Sequence, residues 1–116
     1  EQATVQVLLD RAGHGGLAAL GQQDTLTAVN TARVQKLVLQ EDFRSDGWCC
    51  THCHSIGDGP RPSQCPVCGG QTTATELGEW MVQKVLKTDG AVEVIVPDER
   101  LAAYDGVGAL LRYRLS

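Results

Sequence analysis

The sequence predicts an α/β domain in which helices cover both faces of a central sheet and a thiol-rich, metal-binding insert interrupts the chain. Three observations predict it. Segments of helical periodicity alternate with short aliphatic runs from one end to the other. All five cysteines fall within residues 48–70, WCCTHCHSIGDGPRPSQCPVCGG. At 116 residues the chain is long enough for one domain with a modest core. Strands alternating with helices imply parallel crossovers, and the cysteine segment lies where one such crossover would otherwise run.

In chain order, residues 3–12 carry Val5, Leu8, Leu9 and Ala12 at helical spacing, and Gly13, Gly15 and Gly16 end that helix. His14, among those glycines, reads as a surface loop residue. Residues 17–21 form a short apolar run, either a strand or an extended approach to the next helix. Asp24 is expected to cap a second helix with Leu26 and Val29 on its inner side. Residues 34–39 are a mostly aliphatic strand, which acidic Glu41 and Asp42 leave behind. Beyond the cysteines, Thr73 stands three residues before Glu76 as in a capping box. Leu77, Met81 and Val85 then recur at i, i+4, i+8, flanked by Val82 and Leu86, and Gly90 stops this helix. Residues 91–96 are a β-branched strand closed by Pro97, Asp98 caps a short helix through Tyr104, and residues 106–108 turn the chain. Residues 109–115 are the last strand.

The cysteine segment holds two C-x-x-C pairs, Cys50/Cys53 and Cys65/Cys68, with eleven residues between them. Each tight turn offers two thiolates, and two such turns facing each other make a tetrahedral four-sulfur site, the arrangement of a structural zinc ribbon. In the second pair Pro66 fixes one backbone angle and Gly69 can take the positive φ the turn requires. The first pair has His54 where glycine would be easiest. The same four thiolates also suit an iron–sulfur cluster. Disulfides would leave one cysteine over. Cys49 is the spare, and His52 and His54 read as flanking residues. Four thiolates close the coordination sphere, so the metal serves folding: an insert of roughly residues 43–73 buries little apolar surface of its own.

Composition narrows the function. The net charge of −4 and pI near 5.2 argue against a general phosphate-binding surface, while leaving room for a local RNA contact. No apolar run approaches membrane-spanning length, and cysteine use of this kind fits a reducing, cytoplasmic setting. The chain opens on Glu1 rather than Met, so it is expected to be a piece of a longer protein.

Gly21-x-x-Asp24-Thr25-Leu26-x-Ala28, followed by Arg33-Val34, resembles the opening of the C-terminal domain (domain 3) of archaeal and eukaryotic class-1 peptide-chain release factors. Residues 106–114, GVGALLRYR, are similar to that domain's ending, and some members carry a four-cysteine zinc ribbon between. The bacterial relatives of these factors are the nearest group. The resemblance implies a three-layer α/β/α sandwich with a mixed central sheet, akin to the ribosomal proteins that bind kink-turn RNA. It also implies docking to a translational GTPase or the ribosome. One departure is local: the family places glycine before the Arg-Val pair, and here Ala32 stands there.

Gly69-Gly70-Gln71 spells the tripeptide with which class-1 release factors promote peptidyl-tRNA hydrolysis. In that family it lies on an exposed loop of another domain, whereas here Gly69 directly follows a metal ligand, so no catalytic role is expected. Trp48, Arg112 and Arg114 are candidate contacts to a partner or RNA, a solvated strand face being the alternative for the two arginines. Trp80 reads as core. The expected function is a non-catalytic, partner-docking domain of a release-factor-like protein of translation termination or ribosome rescue, with structural zinc. The alternative is a stand-alone RNA-binding module of the same fold.

Overall fold

The computed structural model describes residues 2–13 and 16–112. His14 and Arg114 lie outside the described residues. The chain runs through α1 (Gln2–Gly13), β1 (Ala18–Leu20), α2 (Gln22–Asn30) and β2 (Val34–Gln40). It continues through β3 (Asp46–Cys50), β4 (Ile56–Asp58), β5 (Thr72–Glu76) and α3 (Leu77–Lys87). It then passes through β6 (Ala91–Ile95), α4 (Glu99–Ala102) and β7 (Val107–Leu111). These make a mixed α/β fold with a four-stranded sheet ordered β1-β7-β2-β6 and a three-stranded sheet ordered β4-β3-β5.

The expectation of parallel crossovers holds for one pair only. β2 and β6 run parallel, with Leu37 opposite Val92 and Leu39 opposite Val94. β7 is antiparallel to both β1 and β2, because Gly106 turns it back between them. β7 ends at Leu111, so Arg112 is not on the strand as expected.

Of the three apolar clusters among the described residues, two share β2 and take Leu37, Val38 and Leu39 alternately, as the two-residue period of a strand dictates. Leu37 and Leu39 join Leu26, Val29, Leu77, Met81, Val85 and Val107 in one. Val38 joins Val5, Leu8, Ile95 and Leu101 in the other. The alternation buries the Leu37–Leu39 part of β2 on both sides, which is why its aliphatic residues are consecutive there.

Helix ends differ from the sequence expectations in three places. Asp24 lies in the first turn of α2; the N-cap is Gly21, at φ 89, and it makes no side-chain cap. With positive φ at Gly21 the chain passes from β1 into the helix without a linker, and Asp105 supplies the missing acceptor, taking the Gln22 amide at 3.0 Å. Thr73 is no capping residue, because it sits in β5 opposite Cys49. Glu76 itself caps α3, its carboxylate accepting from the amides of Gly78 (3.1 Å), Glu79 (3.0 Å) and Ser45 (2.9 Å). Glycine does not supply the left-handed residue that ends α2 or α3. Ala32 (φ 56) and Asp89 (φ 65) do. In both, the two following-turn bonds of a Schellman motif are present: Ala32 N to Val29 O and Arg33 N to Ala28 O, then Asp89 N to Leu86 O and Gly90 N to Val85 O.

Candidate metal centre

β3 delivers Cys50 at its end, and the chain turns through Cys53 before β4 begins. The loop between β4 and β5 turns at Cys65 and Cys68. The two turns have the same backbone. His54 N donates to Cys50 O (3.2 Å) as Gly69 N does to Cys65 O (2.8 Å), and Cys50 N reaches Ser55 O (2.8 Å) as Cys65 N reaches Gly70 O (2.9 Å). Both place a residue with positive φ after the second cysteine, His54 at 65 and Gly69 at 78.

That geometry aims amides at sulfur. Cys50 Sγ accepts from the amides of His52 and Cys53, both at 3.3 Å. Cys65 Sγ accepts from Val67 N (3.4 Å) and Cys68 Sγ from Gly70 N (3.4 Å). Between the turns, Cys50 and Cys68 sulfurs are 3.4 Å apart and those of Cys53 and Cys65 3.7 Å, and all four lie within 4.8 Å of one another. Among the described residues these four form the cluster able to hold a metal ion. His52 and His54 are exposed and stand outside it.

The thiols respond to their neighbours. The Cys53 amide leads a set of hydrogen bonds that lower the Cys50 pKa. Hydrogen bonding from Ser55, side chain and backbone, brings Cys53 down to about 6. At Cys68 the Gly70 amide works to lower the pKa, but the facing Cys50 thiol, burial and the other two thiols push it up to about 11. Burial, then the neighbouring Cys50, raises Cys49, which has the properties of an inert core thiol.

Trp48 is not a surface contact. It is buried, 8% exposed, and packs with Cys50, Cys65 and Cys53 as the floor of the cluster. Gly57 makes room for it, since a β-carbon there would fall 2.4 Å from the indole ring. Cys49, one residue on, points to the opposite face of β3 and joins Ile56 in the main core. Arg112 is exposed, and its guanidinium is committed to the carbonyls of Val34 (3.1 Å) and Thr88. Trp80 is half-buried and packs against the main core.

The Gly69-Gly70-Gln71 tripeptide is held by the cluster. A β-carbon at Gly70 would lie 3.3 Å from Cys68 Sγ and 3.0 Å from His52 Cβ. The Gln71 carbonyl accepts from Thr51 N at 3.0 Å.

Sequence reasoning missed the residues that tie the small sheet to the rest. Asn30, at the end of α2, donates to Ile56 O (2.7 Å) and accepts from Ile56 N (3.0 Å). Lys84 on α3 donates to His54 O at 2.8 Å, and Gln22 and Gln23 reach the Asp58 carboxylate. No local pattern marks these residues, since their partners lie 26 to 36 positions away.

A family model described as eRF1 domain 3 matches residues 1–115. Peptide chain release factor subunit 1 of Methanocaldococcus jannaschii is 25% identical over 87% of this chain, and the chain spans 30% of that relative's length. Among solved structures, the C-terminal domain of peptide chain release factor from Methanosarcina mazei superposes with a TM-score of 0.70 at 20% identity, covering 98% of this chain and 82% of that one. Archaeal Pelota, in a model of ribosome-bound Pelota and ABCE1, gives 0.65 at 24% identity, covering 99% of this chain and 26% of that one. Saccharomyces cerevisiae Dom34, described as a translation termination-like factor interacting with Hbs1, gives 0.62 at 15% identity, covering 97% and 27%.

Proposed function

Since this chain belongs to the eRF1 domain 3 family, we propose that it is the partner-docking domain of a release-factor-like protein of translation termination or ribosome rescue, stabilised by structural zinc. Domain 3 is the non-catalytic C-terminal domain of that family, and the catalytic activity resides in other domains. The observation that carries the reading is a family match extending over essentially the whole chain. Dom34, which interacts with Hbs1, and ribosome-bound Pelota share the fold, and on that ground the partners proposed are a translational GTPase and the ribosome. The setting proposed is cytoplasmic; among the described residues no helix is long and apolar enough to cross a membrane.

The finer fold reading is a three-layer α/β/α sandwich of the kink-turn-binding ribosomal-protein type, with residues 43–73 as an inserted zinc ribbon. Two core clusters drawing on alternate residues of β2 support the layering. Sulfurs bound tetrahedrally to zinc at about 2.3 Å stand about 3.8 Å apart. The 3.4 and 3.7 Å separations of the facing pairs need only small adjustment to that edge length. Amides directed at the sulfurs suit thiolates, and four protein ligands leave no open position for substrate.

Two measurements test the proposal. Elemental analysis of native protein should give one zinc per chain, lost when Cys50, Cys53, Cys65 or Cys68 is replaced by serine and retained in Cys49→Ser. Iron in place of zinc, or loss with Cys49→Ser alone, would overturn the assignment. The full-length protein should co-sediment with ribosomes or a translational GTPase, and deletion of this domain should abolish that; unchanged association would refute the docking role.

A further inference from the structure

Where the first cysteine turn meets α3, a groove of about 320 Å³ is lined by His54, Trp80, Gln83, Lys84, Lys87 and Thr88. We infer that this groove is the docking surface for an acidic protein segment bearing one apolar anchor residue, the anchor lying against Trp80 and its flanking carboxylates meeting Lys84 and Lys87.

Three observations carry it. The lining combines a half-buried indole with two lysines and holds no carboxylate, although the chain as a whole is acidic at −4. Trp80, Lys84 and Lys87 recur at i, i+4, i+7, so α3 presents them along one face. Neither lysine pairs with a carboxylate among the described residues. Cations in a last helical turn ordinarily serve the helix's own carbonyls. Lys84 instead turns across the groove to His54 O. The third observation is an asymmetry between the two cysteine turns. They share one hydrogen-bond pattern, yet the left-handed position is Gly69 in one and His54 in the other. Glycine is the unstrained choice at such a position, and where the first turn lines the groove His54 stands there instead.

Lysines are point charges suited to carboxylates set around an anchor, and tryptophan is the side chain most often central to a protein interface. A nucleic acid would bring many phosphates toward a domain of net negative charge, with only two groove lysines to offset them. The inference rests on the docking role proposed above and adds the site and its chemistry.

The test is a titration of the ¹⁵N-labelled, zinc-loaded chain with heptapeptides carrying a central Phe, Leu or Trp flanked by aspartates and glutamates. The expected result is saturable shifts confined to His54, the Trp80 indole and residues 83–88. Lys84→Glu/Lys87→Glu should weaken binding at least tenfold, and the same anchors flanked by lysines should not bind. His54→Gly, which relieves the backbone, should keep the metal and lose affinity severalfold. Absence of shifts with every acidic peptide at millimolar concentration would overturn the inference, as would equal binding by the double lysine variant. Tighter, groove-confined binding of oligouridylate than of any peptide would overturn it in favour of a nucleic-acid platform. If wild-type full-length protein associates with ribosomes while no peptide binds, the groove fails and the docking role stands; loss of both refutes the docking role.

Discussion

Replacing Asn30 by alanine tests how firmly the small sheet is fastened to the helices. One carboxamide serves both polar groups of the Ile56 backbone, at 2.7 and 3.0 Å, and Ile56 is 3% exposed. Each such bond contributes about 1 kcal/mol net, and a buried group left unpartnered costs about 1–3 kcal/mol. Asn30 is itself exposed, so water can reach part of the vacated space and the loss falls toward the lower end, about 2–3 kcal/mol. For a domain of this size that lowers Tm by about 6–15 °C. The assay is urea and thermal unfolding of metal-loaded protein, with hydrogen exchange read at the Ile56 amide. Asn30→Asp keeps the acceptor for Ile56 N but sets a carboxylate against Ile56 O, and it should be no more stable than the alanine variant. A loss below about 0.5 kcal/mol with Ile56 still protected would show that the clamp contributes nothing beyond solvent hydrogen bonding.

Ala32→Gly should stabilise the protein by about 0.5–1 kcal/mol, because the relief of left-handed strain at φ 56 exceeds the entropy glycine adds to the unfolded chain; a lower urea midpoint would contradict this. Gly69→Val should lower metal retention against a competing chelator, since a β-branched side chain is strained at φ 78, whereas Gln71→Ala should leave metal content and stability unchanged. At Glu76, burial raises the pKa, but the amides of Ser45, Gly78 and Glu79, then Arg44, outweigh it, so the folded pKa lies below the ordinary 4.5. A depressed carboxylate contributes stability above its unfolded pKa and loses it as pH falls through the folded value. Stability should therefore decline from about pH 4.5 downward, and Glu76→Gln should flatten that decline in a series of urea midpoints against pH.

The cysteine spacing was legible because a C-x-x-C turn is local: its amides, its sulfurs and its left-handed residue lie within six positions of one another. The same locality made α3 readable from Leu77, Met81 and Val85, all buried. Sequence and structure part wherever a distant residue completes a local motif. Asp24 looked like a cap until Asp105 took the Gln22 amide, and Thr73 looked like one because nothing in the sequence shows that β5 pairs with β3. Trp48 departs from its sequence expectation for a similar reason, since its burial depends on the space left by Gly57 across the strand pair. The departure noticed at Ala32 has a simple outcome: alanine adopts the glycine geometry, and the Schellman bonds form regardless.

β7 has a consequence for when the domain can fold. It is the last strand in sequence among the described residues, yet it lies inside the sheet, pairing with β1 on one side and β2 on the other. β1 and β2 have no ladder with each other, so a nascent chain that has emerged only through β6 holds one parallel pair and an isolated three-residue strand. Parallel pairs with long crossovers form slowly, and their unpaired edges invite association. At synthesis rates of about 5–20 residues per second, the 16 residues after Ile95 through Leu111 follow β6 in about 1–3 s, and the main sheet stays open until they have emerged. The cysteine turns lie earlier in the chain and are complete once Gly70 has emerged, so the four-sulfur cluster can assemble before the main sheet closes.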